Sequence, residues 1–104
     1  MEDFCANHCT LKEDGLYNNK TGARVRALGV VHVFGNMADM PRLLDIARRY
    51  KLILIEDATE ALGTRYTAGP LAGKAAGTMG DIGCYSFNGN KIMTTGAGGF
   101  VVSN

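Results

Sequence analysis

The chain has 104 residues, room for a single domain. Eleven Lys and Arg against ten Asp and Glu leave a formal charge of +1, which removes any electrostatic case for nucleic acid or an acidic membrane surface. With 46% hydrophobic and 20% charged residues the composition is globular and not disordered, and no apolar run approaches the roughly 20 residues needed to span a bilayer.

In chain order, residues 1–9 have room for one or two helical turns but carry no start signal. Residues 11–17 set Asp14-Gly15 between short apolar-tipped segments, which predicts a hairpin, and residues 18–22 read as a polar loop. Residues 25–34 are apolar almost throughout, as expected of one strand buried on both faces, and Gly35-Asn36 ends the run. Asp39 can then cap a helix whose apolar positions Met40, Leu43, Leu44 and Ala47 follow the i, i+3, i+4, i+7 spacing. Pro41 falls in its first turn, where a missing N–H costs little, and Arg48 and Arg49 suit the negative end of its dipole. Leu52-Ile53-Leu54-Ile55 predicts a second, fully apolar strand. Strand, helix and strand over residues 25–56 form a βαβ unit with parallel strands.

Ligands gather at the carboxyl ends of such strands, here marked by Gly35-Asn36 and Glu56-Asp57. Ten of the 14 glycines lie from Gly63 onward, so the second half is built from tight turns and close backbone approaches. Residues 63–78 read as a glycine-punctuated excursion. Cys84-Tyr85-Ser86-Phe87 and Phe100-Val101-Val102 predict two more short strands around a polar, glycine-rich turn.

Few residues in this frame can carry chemistry. Asp57 has two compatible roles: N-cap of a short helix in a capping box with Glu60, or a carboxylate at the ligand edge aimed at a cationic group. A lone loop lysine such as Lys91 is usually a solvated surface charge. This one lies among small and amide residues between buried-looking strands, where a desolvated amine acts as a nucleophile. The glycines after it form neither a Walker loop, since no Gly-Lys-Ser/Thr follows, nor a dinucleotide fingerprint, since a strand follows. Cys5, His8 and Cys9 share one helical face at metal-ligand spacing, but no second ligand pair is evident and ordinary packing explains them better. His32, inside an apolar strand, reads as a satisfied core histidine. Three cysteines are too odd a number for a disulfide framework, and the acidic N-terminus has no apolar signal core; both fit a cytoplasmic protein.

Four motifs in order carry a resemblance. They are His32-Val33-Phe34-Gly35-Asn36 with Ala38-Asp39; Ile55-Glu56-Asp57-Ala58-Thr59-Glu60-Ala61-Leu62-Gly63; Gly80-Asp81-Ile82-Gly83-Cys84-Tyr85-Ser86-Phe87-Asn88-Gly89-Asn90-Lys91; and Thr94-Thr95-Gly96-Ala97-Gly98-Gly99. Over residues 24–104 the series resembles the pyridoxal-phosphate-dependent sugar aminotransferases of the DegT/DnrJ/EryC1/StrS family. Within it, the chain looks most like the subgroup acting on UDP-4-keto-6-deoxy-N-acetylhexosamines in bacillosamine and legionaminic acid synthesis. The resemblance implies an α/β fold, part of the aspartate-aminotransferase-like large domain (fold type I) with a mixed, mainly parallel sheet. It implies pyridoxal 5'-phosphate as cofactor, glutamate and a UDP-linked keto sugar as substrates, and a homodimeric parent, with no nucleic acid or membrane partner. Lys91 would form the internal aldimine and shuttle the proton; Asp57 would pair with the pyridinium nitrogen, keeping the ring an electron sink. Glu60 would lie beside the ring oxygen, Ser86 would bind the cofactor phosphate, and Asn88 would line the same pocket. Related dehydrating enzymes carry histidine in place of the lysine, so Lys91 favours transamination.

The chain departs from the family pattern at Val30, often Pro, and at Ala97, often Glu or Gly. It departs most in length. Family members are several times longer, so residues 1–104 are expected to be a fragment of the cofactor-binding large domain. That fragment has its cofactor-lysine loop at about residues 80–99. It is expected to lack the small domain, the helix that grips the phosphate and the aromatic group that stacks on the ring. A competing reading is a non-catalytic remnant or interaction module that keeps the βαβ core, binds no cofactor and exposes apolar edges. A third, an unrelated nucleotide-binding domain, fits the glycine spacing poorly.

Overall fold

The computed structural model describes residues 1–103. A short helix α1 (Glu2–Asn7) leads into a three-stranded antiparallel sheet of β1 (Cys9–Lys12), β2 (Gly15–Asn18) and β3 (Arg24–Val25). The hairpin turn falls at Asp14-Gly15 as the sequence predicts, with Lys12 opposite Gly15 and Cys9 opposite Asn18. The second sheet runs in the order β4 (Ala27–Val31), β5 (Ile53–Asp57), β6 (Ile82–Ser86), β7 (Gly99–Ser103). Its first three strands are parallel, and β7 returns antiparallel to β6.

Helix α2 (Met40–Arg49) bridges β4 and β5. Asp39 caps it by accepting from the Arg42 amide, Pro41 lies in the first turn, and Arg48 and Arg49 occupy the last. Leu52 is not yet strand: its amide bonds back to Ala47 and closes the helix, after Lys51 has turned through a left-handed conformation (φ 57°). Met40, Ile46 and Ala47 of α2 join Leu28, Leu54, Leu16, Cys5 and Cys9 in one core, so helix, hairpin and parallel sheet share a single apolar interior. Cys5 and Cys9 are packed there while His8 is exposed.

The apolar run at residues 25–34 is not one strand. Val25 pairs with Leu16 in the small sheet, Ala27 opens β4 in the large one, and Val33, Phe34 and Gly35 form a 3-10 turn. Hydrophobicity marks all of it as strand-like, but pairing partners divide it at Arg26. Nor are β4 and β5 covered on both faces. Leu28, Leu54 and Glu56 are buried, whereas Val31 and Ile53 are 53% and 48% exposed on the opposite face. Val101 of β7 continues that open face at 66% exposure.

Candidate active site

The carboxyl ends of three parallel strands assemble the site. In register, Asp57 at the end of β5 lies between Val31 of β4 and Cys84 of β6. Side chains alternate along a strand, so Asp57, Cys84 and Ser86 share one face while Glu56 and Tyr85 share the other.

The buried face carries a polar anchor that the sequence reading passed over. Glu56 is fully buried, and its Oε1 accepts from the Met79 and Gly80 amides at 2.6 and 2.5 Å. Its Oε2 accepts from the Gly77 amide and from His32 Nε2, each at 2.8 Å. His32 is equally buried; its Nδ1 accepts from the Ala38 amide at 3.2 Å, so the proton sits on Nε2. This is the satisfied core histidine expected from the sequence, now with its partner named. The loop meets β6 so tightly that a Cβ at Gly83 would stand 1.8 Å from the Gly77 carbonyl oxygen. A signal existed in the alternation: if Leu54 faces the core, so does Glu56, and a core-facing carboxylate requires donors. Above Glu56, the His32 amide bonds the Asp57 carbonyl at 3.0 Å, so the anchor leads directly into the backbone of the predicted ring-nitrogen partner.

No helix follows Asp57, so the expected capping box does not form. Asp57 Oδ1 instead accepts from the Thr59 amide at 3.0 Å in a local turn, which spares Glu60 from capping duty. Glu60 Oε2 reaches back to the Phe34 amide at 2.9 Å, and its Oε1 stands 3.7 Å from Lys91 Nζ. The Lys91 side chain is only 17% exposed. Its backbone is set by a turn in which the Lys91 amide bonds the Asn88 carbonyl. Ser86 Oγ accepts from the Asn88 amide at 3.3 Å, and the Asn88 side chain donates to Asn90 Oδ1. The loop closes beyond them, with the Phe87 amide on the Gly98 carbonyl and Thr94 Oγ1 on the Phe87 carbonyl.

Of the five predicted site residues, Glu60 with Lys91 and Ser86 with Asn88 form two contacting pairs. Asp57 shares their edge of the sheet, but its carboxylate accepts from the Thr59 amide and touches none of them. The donor set suits an aromatic, phosphorylated aldehyde. Lys91 is a mostly covered primary amine, Asp57 Oδ2 faces no protein donor among the described residues, and the Ser86 hydroxyl accepts a bond yet retains its own proton to donate.

Comparison with known proteins places the chain among aminotransferases. A GDP-perosamine synthase of Caulobacter vibrioides is 46% identical over 81 residues, 78% of this chain and 20% of that protein. A putative L-glutamine:3-amino-2,3-dideoxy-scyllo-inosose aminotransferase of Micromonospora echinospora is 49% identical over 80 residues, 77% of this chain and 18% of that protein. Among solved structures, S. venezuelae DesV in complex with a ketimine intermediate superposes with a TM-score of 0.66 at 39% identity, covering 77% of this chain and 20% of that one. The chain thus spans about a fifth of the length of the curated relatives it matches. Its α/β fold, with a mixed and mostly parallel sheet, is that of the pyridoxal-phosphate aminotransferases. The sequence pattern of the DegT/DnrJ/EryC1/StrS aminotransferase family matches residues 4–104, and the chain belongs to that family.

Proposed function

We propose that residues 1–104 are the cofactor-lysine segment of a large domain that transfers an amino group from glutamate to a nucleotide-linked 4-keto-6-deoxy sugar. The observation carrying this reading is the Lys91 amine, largely covered and set against Glu60 at the edge where Asp57 ends its strand. Bound there, pyridoxal phosphate would supply an electron sink for the carbon that gains or loses the amine. Asp57 would hold a proton on the ring nitrogen through its open oxygen, Ser86 would receive the phosphate, and Asn88 would line the same pocket. Lys91 would carry the cofactor and move the proton at the reacting carbon, while Glu60 keeps its amine oriented towards the ring. Within the family, the UDP-linked N-acetylhexosamine subgroup remains our assignment on the Ser-Phe-Asn-Gly-Asn-Lys and Glu-Asp-Ala-Thr-Glu motifs. Of the relatives named above, one is by its name a GDP-perosamine synthase and one an inosose aminotransferase, so GDP-linked sugars belong in the same assay. A cytoplasmic homodimer completes the proposal; no helix among the described residues is long and apolar enough to cross a membrane.

The test is a borohydride trap. The chain is incubated with pyridoxal phosphate, reduced, and digested for peptide mass mapping, with Lys91→Ala alongside. Selective labelling of Lys91 is expected. Labels scattered over Lys12, Lys20, Lys51 and Lys74 as well would overturn cofactor binding by this chain. The open sheet face around Val31, Ile53 and Val101 favours one second reading, a module that binds through apolar surface without cofactor. Scattered labels combined with self-association would select it.

A further inference from the structure

Phe34 is the most exposed large apolar side chain among the described residues, at 84%, and its backbone is left-handed (φ 52°, ψ 31°). For a residue with a bulky side chain that conformation is strained. Burial does not offset the strain, because the ring is in solvent. The turn around it is held on several sides. Glu60 accepts from the Phe34 amide, Asn36 bonds back to Val33, and Thr64 Oγ1 donates to the Gly35 carbonyl at 3.1 Å. Gly35 itself has φ 80°, where a side chain would add strain of its own. A strained, over-determined residue whose side chain packs on nothing points to a ligand. Its position narrows the ligand, since a single carboxylate, that of Glu60, separates the Phe34 amide from the Lys91 amine.

Resting on the aminotransferase reading above, we propose that Phe34 is the platform for the hexose ring of the sugar substrate. An aromatic face packs against the C–H face of a pyranose and against a 6-deoxy methyl group, both apolar. A reacting sugar carbon brought to Lys91 would lie one carboxylate away from the turn that presents Phe34, whereas a ribose and two phosphates separate the nucleobase from that sugar. Glu60 then serves twice, orienting the amine and holding the turn that presents the ring.

The sequence contains no Trp, so Phe34→Trp installs a sole indole reporter with the same backbone demand. Its emission is followed while the chain is titrated with UDP-N-acetylglucosamine or GDP-mannose, with UDP and GDP alone as controls. A saturable shift at least about tenfold tighter with a sugar nucleotide than with its free nucleotide is expected. In parallel, Phe34→Gly relieves the strain; it should raise the thermal midpoint while weakening sugar-nucleotide binding about tenfold by calorimetry, with Lys91 still trapped by borohydride. An equal response to free nucleotide overturns the proposal. So does an emission shift that follows chain concentration alone, which assigns the ring to a protein contact. Unchanged sugar binding in Phe34→Gly, or no sugar binding by a chain whose Lys91 is labelled, overturns it while leaving the cofactor reading intact. Failure to label Lys91 in the unsubstituted chain removes both.

Discussion

Four hydrogen bonds converge on the buried Glu56 carboxylate, and they tie together three separate stretches of chain: His32 after β4, the loop at residues 77–80, and β5 itself. Removing the carboxylate leaves the buried His32 Nε2 and Gly77 amide, and the half-buried Met79 amide, without their acceptor. Each such group costs about 1–3 kcal/mol, so Glu56→Ala should lose at least about 3 kcal/mol in urea denaturation. Glu56→Gln keeps the shape but turns an NH2 group towards two donors, and a loss of about 2 kcal/mol is expected. A Glu56→Gln change within the error of the native value would show that water, and not the carboxylate, satisfies the loop. Neighbouring Asp57 differs in kind: it is half-buried, its carboxylate binds only its own turn, and one oxygen stays open. Adjacent acids on opposite faces of one strand thus differ in their bonding, one fully engaged in holding structure and one with an oxygen left open.

Among the elements, α1 is held chiefly at one point beyond its own packing. Glu2 receives Arg49 at 2.5 Å and Arg42 at 3.1 Å, both from α2. The hydrogen bond from Arg49, then that from Arg42, holds the Glu2 carboxyl below its ordinary value of 4.5. Because the folded state lowers this pKa, the stabilisation is present above the unfolded value and is lost as pH falls through the folded one. Thermal midpoints of the native chain and of Glu2→Gln should therefore differ at pH 7 and converge in acid. The pair is solvent-exposed, so the difference should also shrink with added salt. A difference that persists at pH 2 would assign the effect to packing. The helix α2 that anchors this contact was legible residue by residue: its cap, its early proline, its apolar spacing and its terminal arginines are all local signals. The division of residues 25–34 between two sheets was not, because a strand's partner is chosen by chain far away in sequence.

For the whole molecule, the radius of gyration is 15.3 Å, above the about 13 Å of a compact 100-residue domain. The excess reflects a small three-stranded sheet set beside a four-stranded sheet that is covered on one face only. Val31, Ile53 and Val101 stand out on the uncovered face, and β4 and β7 are free edges. Open apolar faces and edges recruit other chains. Sedimentation of the native chain should show concentration-dependent association, weakened in Val101→Lys and Ile53→Lys. A monomer at high concentration with cooperative unfolding would refute this.

By itself the sequence determined what is local: the capped helix, the hairpin at Asp14-Gly15, the βαβ unit, and the motif series that identifies the family. Its candidate lysine and carboxylates emerged from the same local patterns. Tertiary structure alone decided which acid does what. Glu60 leaves the predicted cap to reach Phe34 and Lys91, and Glu56 is an anchor because the strand's alternation turns it inward. Short-range chemistry is written in adjacent residues. The partner of a charge, and the face a strand leaves open, depend on segments twenty or more residues away, and only the folded chain brings those together.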